Sequence, residues 1–256
     1  MPIAYVTPAE AIKASGLRLV FVRGVPSPWG MAAKALFEVK GVDYLAAPLE
    51  LAGKNEEIVA WTGQNSAPVV AWNDEPPIHR WQDIILLAER IAPSPALIPT
   101  DAHQRALMWG YVNELAGEHG LGWNRRLQSF GRVRNSGKTN PVSEALIGKY
   151  GYDAEAVKTV VARIAGTLTA LTAQLKAQQA RGVSFLVSET LSAADIYCVT
   201  FLNLVVPMTH EQCPMPDAFR TGFTAREPEI VAALDSILLA HRDRIFHAHF
   251  KNPMEF

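Results

Sequence analysis

Residues 17–22 read Leu-Arg-Leu-Val-Phe-Val, an apolar run too short for a typical helix, and this predicts a buried strand. A helical stretch follows from Trp29 to Lys40, with apolar faces between Met31 and Val39. Ser27-Pro28 opens it: serine at an N-cap accepts a backbone N–H bond, and proline at the first helical position loses no needed donor. Tyr44–Leu49 predicts a second strand, Glu56–Trp61 a short helix and Pro68–Trp72 a third strand. Asn73-Asp74 is then a turn, Pro77-Ile78 a short fourth strand and Trp81–Ile91 a helix. The resulting order is β-α-β-α-β-β-α with short connections.

The pattern changes after Ala92. Pro93, Pro95 and Pro99 make 93–100 a stiff linker, and almost everything beyond it has helical spacing. Asp101 is expected to cap a helix towards Glu118, and Asp153 a long one towards Gln179. Ser192 opens another, and a later one runs from Pro228 to about His241. The fold class is therefore an α/β domain with a mixed four-stranded sheet over 17–92, followed by an all-α domain over 101–256. Residues 1–16 form an appended N-terminal segment.

Composition narrows the function classes. The chain has 256 residues, 49% of them hydrophobic, enough to bury a proper core. A net charge of -1 argues against a general nucleic-acid or membrane-surface binder. No window approaches the apolar length of a membrane span, and the N-terminus lacks a signal-peptide pattern. Cys198 and Cys213 form no CxxC pair, which fits a reduced, cytoplasmic setting. His247 and His249 lie one residue apart and His210-Glu211 lacks an HExxH partner, so no metal site is expected. The interval 119–143 has no acidic residue but carries Arg125, Arg126, Arg132, Arg134 and Lys138. Gly131 and Gly137 suggest that much of it is loop: either a solvated basic surface or a flap for an acidic ligand.

Three local features coincide with this element order. They are Ser27-Pro28 at the first helix, Ser66-Ala67-Pro68-Val69-Val70 leading into a strand, and Gln82-Asp83 at the helix after the fourth strand. Together they resemble the thioredoxin-like N-terminal domain of serine-type glutathione transferases, with Lys40-Gly41 closing the first helix. Leu191-Ser192-Ala193-Ala194-Asp195-Ile196-Tyr197 is similar to the helix-capping segment of that family's helical domain. The resemblance covers about residues 17–245.

The resemblance implies a co-substrate and a set of roles. Ser27 would donate to the sulfur of glutathione and favour its thiolate, whose free thiol has a pKa near 8.5. Trp29 would wall the thiol site or pack in the core. Redox members carry cysteine where Ser27 stands, so transfer to an electrophile is favoured over reduction through a mixed disulfide. Pro68 matches a cis-proline that presents the backbone of Ala67 to the cysteinyl unit, like an added strand. Gln82 and Asp83 would hold the γ-glutamyl end. Asp83 is acceptor-only when ionised, and it stands where the family has serine. Lys54 would reach the glycyl carboxylate, and Ser66 occupies a frequent lysine position. Tyr111, Asn113, Trp123, Asn124 and Arg125 are candidates to line the pocket of a largely hydrophobic electrophile, with a homodimer as the usual assembly. The alternatives are a non-catalytic binding module of the same fold, or a glutathione-dependent isomerase, dehalogenase or ether-cleaving enzyme.

Overall fold

A computed structural model describes residues 3–138 and 140–256. Met1 and Pro2 of the N-terminal segment, and Thr139 of the acid-free interval, lie outside the described residues. Its sheet has the strands β1 (Leu17–Val22), β2 (Tyr44–Leu49) and β3 (Val69–Trp72), in the order β2-β1-β3. β1 and β2 run parallel, with Leu17 beside Tyr44 and Val22 beside Leu49. β3 is antiparallel to β1, with Leu17 facing Trp72 and Val20 facing Val69. The fourth strand expected at Pro77-Ile78 is reduced to a single bridge between Ile78 and Val70. Pro76 and Pro77 supply no backbone donors, so the ladder cannot extend.

Helices α1 (Pro8–Lys13), α2 (Pro28–Val39), α3 (Glu56–Thr62) and α4 (Trp81–Ile91) accompany the sheet. α1 belongs to the segment that the sequence treats as appended. Thr7 and Glu10 form a capping box with Pro8 at the first helical position. Val6 N–H donates to Ala46 C=O at 2.9 Å. Ala11 is fully buried, in a cluster with Val20, Ala47, Leu49, Ile58 and Val69. Through Ala11, with Val6 packed against the cluster, α1 and the residues before it contribute to the core of this unit.

The remaining helices are α5 (Ala102–Ala116), α6 (Leu121–Ser136), α7 (Pro141–Tyr150), α8 (Ala154–Val157) and α9 (Val160–Ala180), then α10 (Ala193–Leu202), α11 (Asp217–Phe223), α12 (Pro228–Ala232) and α13 (Ser236–His249). Three expectations change. The basic interval is mostly α6, which passes through Gly131 and stops at Gly137 in the left-handed region. Asp153 caps only the short α8; Thr159 and the β-branched pair Val160-Val161 begin α9 anew. The helix from Pro228 breaks after Ala232, and the Asp235 carboxylate accepts from Ile237 N–H at 3.0 Å, starting α13.

The Ser192 segment behaves as its sequence suggests. Asp195 is fully buried and accepts from Ser192 N–H at 2.8 Å, Ser192 Oγ at 2.7 Å and Leu186 N–H at 2.7 Å. His241 Nε2 lies 3.2 Å from the same carboxylate without the alignment of a hydrogen bond. Two units emerge: 1–97 with 208–215 and 246–256, and 98–207 with 216–245.

Candidate functional site

Register brings the N-terminal candidates to one end of the sheet. β1 and β2 are parallel, so Val22 and Leu49 end side by side, and both following loops leave from that end. One loop leads to Ser27 and the other carries Lys54. β3 runs the opposite way, and continuing the Val20–Val69 pairing by one step sets Phe21 opposite Pro68. Val70 and Ile78 exchange backbone hydrogen bonds at 2.8 Å in both directions, so the chain leaving Ile78 for Arg80 runs back towards the end where Pro68 enters β3. The Ala67-Pro68 segment and the N-terminus of α4 therefore share the end at which α2 begins. In open α/β sheets, ligands gather beyond the carboxyl ends of the parallel strands.

Ser27 occupies the N-cap with extended backbone, but its side chain makes no capping hydrogen bond. The expected side-chain acceptance from the helix does not occur. The first intrahelical bond runs from Met31 N–H to Ser27 C=O at 2.8 Å. A half-buried hydroxyl is thus left beside the positive end of a helix of 12 residues. Trp29, half-buried, stands on the same turn.

Ala67-Pro68 is a cis peptide, with Pro68 buried and Ala67 packed against the core cluster. Arg80 is the N-cap of α4 and gives no side-chain cap. Ile84 N–H makes the first intrahelical bond, to Arg80 C=O at 3.0 Å, so the N–H groups of Gln82 and Asp83 have no acceptor within the helix. Both side chains are exposed. Asp83 also borders a cavity of about 310 Å³ formed with Trp72, Ile78, Leu86, Leu87 and Arg90. Lys54 is exposed, and no hydrogen bond or ion pair engages it among the described residues.

The helical-unit candidates are not drawn together. Tyr111 is half-buried on α5, and its hydroxyl lies 3.4 Å from Gln174 on α9. Burial pushes its phenol up. Trp123 on α6 instead meets Tyr150 of α7 edge-on, with ring centroids 6.4 Å apart. The Arg126 guanidinium lies 5.1 Å from the Trp123 ring and 4.0 Å from Tyr150. Asn113 is exposed, whereas Asn124 is buried and donates to Gly120 C=O at 2.9 Å. Arg125 is 6% exposed and donates to Leu204 C=O at 2.9 Å, Phe223 C=O at 2.9 Å, Gly222 C=O at 3.1 Å and Gln128 Oε1. Burial pulls its pKa down to about 10, Arg132 adds to this and Glu227 opposes it. These donors are engaged inside the helical unit.

Two features of the sheet unit escape the sequence patterns. One is a pair of asparagines, Asn55 and Asn65, joined side chain to side chain at 2.8 Å. The other is Lys40, whose side chain is fully buried and donates to Ala92 C=O at 2.7 Å, Pro95 C=O at 2.8 Å and Glu89 Oε1 at 2.8 Å. An asparagine ten residues from another has no periodic signal, and lysine is read by default as surface. Among the described residues, no group of three or more His, Cys, Asp or Glu is placed to hold a metal ion, and no helix is long and apolar enough to cross a membrane.

No protein-family model and no curated protein matches the chain. Solved structures do. A glutathione S-transferase from Methylobacterium radiotolerans, in complex with glutathione sulfonate, is 16% identical, covers 91% of each chain and superposes with a TM-score of 0.65. The beta-etherase LigF from Sphingobium sp. strain SYK-6 is 16% identical over 90% of this chain and 94% of its own, with a TM-score of 0.62. A rice glutathione transferase in complex with glutathione is 15% identical over 94% and 93%, with a TM-score of 0.60. The mixed sheet with its flanking helices, the helical second unit and these neighbours agree: the chain has the fold of the glutathione transferases.

Proposed function

We propose that the chain is a serine-type glutathione transferase in which Ser27 donates to the glutathione sulfur and favours its thiolate. The observation that carries this reading is the Ser27 hydroxyl, uncapped and half-buried at the N-terminus of α2, on the same sheet end as Ala67-Pro68 and the start of α4. The backbone of Ala67 pairs with the cysteinyl unit, and Trp29 walls the thiol. Gln82 takes the γ-glutamyl carboxylate with the α4 N–H groups, Asp83 its ammonium, and Lys54 the glycyl carboxylate. The thiol proton leaves to solvent and a sulfur–carbon bond forms on the electrophile. The bond to the leaving group breaks, and that group takes the electron pair. Tyr111 and Trp123 stay candidates for contacting a largely hydrophobic electrophile. The engaged donors of Arg125 assign it to the framework. A homodimer in the cytoplasm completes the proposal, with sedimentation velocity as the check on assembly.

Titration with glutathione, followed by thiolate absorbance, tests it. The wild-type protein is expected to bind at millimolar glutathione with a thiol pKa below the free value near 8.5. In Ser27→Ala that pKa returns towards the free value, and kcat/KM falls about 10–100-fold. Binding retained with an unchanged thiol pKa would sink the role of Ser27. A panel of activated halides, epoxides and aryl ethers defines the electrophile; the likeness to a beta-etherase motivates the last class. The second reading, a binding module without catalysis, is favoured by Asp83 and Ser66, which replace a hydroxyl donor and a cation. Failure to bind at millimolar glutathione would favour that module over the enzyme.

A further inference from the structure

The loops that follow β2 and precede β3 are fastened by two side chains. Asn55 Oδ1 accepts from Glu50 N–H at 2.9 Å, and Asn55 Nδ2 donates to Glu50 C=O at 3.0 Å and to Gly53 C=O at 3.0 Å. The same amide donates to Asn65 Oδ1 at 2.8 Å, while Asn65 Nδ2 donates to Gly53 C=O at 3.1 Å. Asn55 holds this position with a positive φ of 52° and Ala52 with 60°, so the turn is specific and its backbone is held by the amide bonds. Gly53 leaves the room: a Cβ there would meet Glu50 Cβ at 3.0 Å and Asn55 Nδ2 at 3.4 Å.

We propose that Asn55 and Asn65 are positioning residues for glutathione, acting through the two loops they join. The inference rests on the reading above, in which Lys54 of the first loop takes the glycyl carboxylate and Ala67 of the second pairs with the cysteinyl backbone. Lys54 is the neighbour of Asn55, and Ala67 lies two residues beyond Asn65. A tripeptide bridging both contacts needs their separation held before it binds, since loop ordering otherwise subtracts from affinity. The asparagine bond holds that separation without touching the ligand. Serine-type thiolate chemistry at Ser27 is on a different loop and is untouched.

Three variants of the full chain test this, with glutathione itself as the probe. Asn55→Gly keeps a residue at ease with positive φ and removes the side-chain bonds. Asn65→Ala removes the other half, and Gly53→Ala crowds the pair while leaving both asparagines in place. Each is expected to raise the Kd and KM for glutathione about tenfold, with kcat at saturation within about twofold and the bound thiol pKa unchanged. The double variant Asn55→Gly/Asn65→Ala should cost less than the sum of the two single changes, because both remove the bond between the two side chains. Equal Kd in wild type and variants, additive losses in the double variant, or a fall in kcat with KM unchanged would each overturn the proposal. Failure of the wild-type protein to bind glutathione is a separate outcome, which overturns the transferase reading and this inference with it.

Discussion

Lys40 and Lys34 both lie on or beside α2, yet a sequence pattern reads neither as buried. Each is stable in the interior because its ammonium meets oxygens. Lys40 has three donors and three partners within 2.8 Å, including two carbonyls at the start of the proline-rich linker. Glu89 is shared, accepting also from Leu97 N–H at 2.7 Å. Replacement by methionine keeps most of the volume but takes the ammonium from two carbonyls and leaves the Glu89 carboxylate with the Leu97 N–H alone. Lys40→Met is therefore expected to lose about 2–4 kcal/mol of stability, read from urea denaturation, and a loss below about 0.5 kcal/mol would contradict the account. Ser27 is the opposite case at the same scale: its hydroxyl has no capping partner, and its availability is what the thiolate reading uses.

At the scale of elements, α6 shows how glycine can be read two ways. Gly131 looks like a loop residue in sequence but lies in mid-helix, where a Cβ would stand 2.8 Å from Val157 Cγ1 of α8. The close approach of two helices, not a turn, requires it. Alanine would gain about 0.5–1 kcal/mol in helix propensity and lose about 1–3 kcal/mol to overpacking, so Gly131→Ala is expected to lower Tm. In a Val157→Ala background the same change should turn neutral or stabilising, which a thermal scan of the four variants would show. The contact of α6 with the segment before α12 is electrostatic. Burial pushes the Glu227 carboxyl up, but hydrogen bonds from Arg132 and from the backbone N–H of Arg226 outweigh it and hold it at about 2. A carboxylate depressed in the fold stabilises above its unfolded pKa near 4.5 and loses that contribution as pH falls through about 2. Acid unfolding should therefore be less steep between these values in Glu227→Gln than in wild type; identical pH profiles would remove Glu227 from the explanation.

At the scale of the whole molecule, two later segments of the chain return to the sheet unit. Residues 208–215 and 246–256 belong to it along with 1–97. The Lys34 side chain, 4% exposed, donates to Glu255 C=O at 3.0 Å and lies 3.6 Å from Glu38. Lys251 lies 3.0 Å from Glu38, whose carboxylate also accepts from Tyr44 Oη at 3.0 Å. Met254, 4% exposed, donates its N–H to Gln212 C=O at 2.7 Å. Ending the chain after Phe250 would strip Lys34 of an acceptor and expose apolar surface. A loss of about 2–4 kcal/mol is expected by chemical denaturation, and an unchanged midpoint would show that the tail is only draped on the surface.

The sequence by itself determined the strands β1 and β2 and the helix α4 to the residue, because apolar runs bounded by turn residues leave little choice of period. It also determined the Ser192–Asp195 capping box, a local interaction three residues long, and marked Ser27, Pro68 and Gln82 as points of interest. Local signals were present but unread for α1, where Thr7 and Glu10 spell a capping box. Only tertiary structure decided the rest. Strand register, which pairs residues about 50 positions apart, sets Ser27, Ala67-Pro68 and the start of α4 on one sheet end. Long-range packing turned Gly131 from a loop residue into a helix contact, and Arg125 from a pocket candidate into a framework residue bound to carbonyls about 80 to 100 positions away. A side chain's period along the chain is a local property, but its partners are not: hydrogen-bond satisfaction in the interior depends on which distant segment arrives beside it.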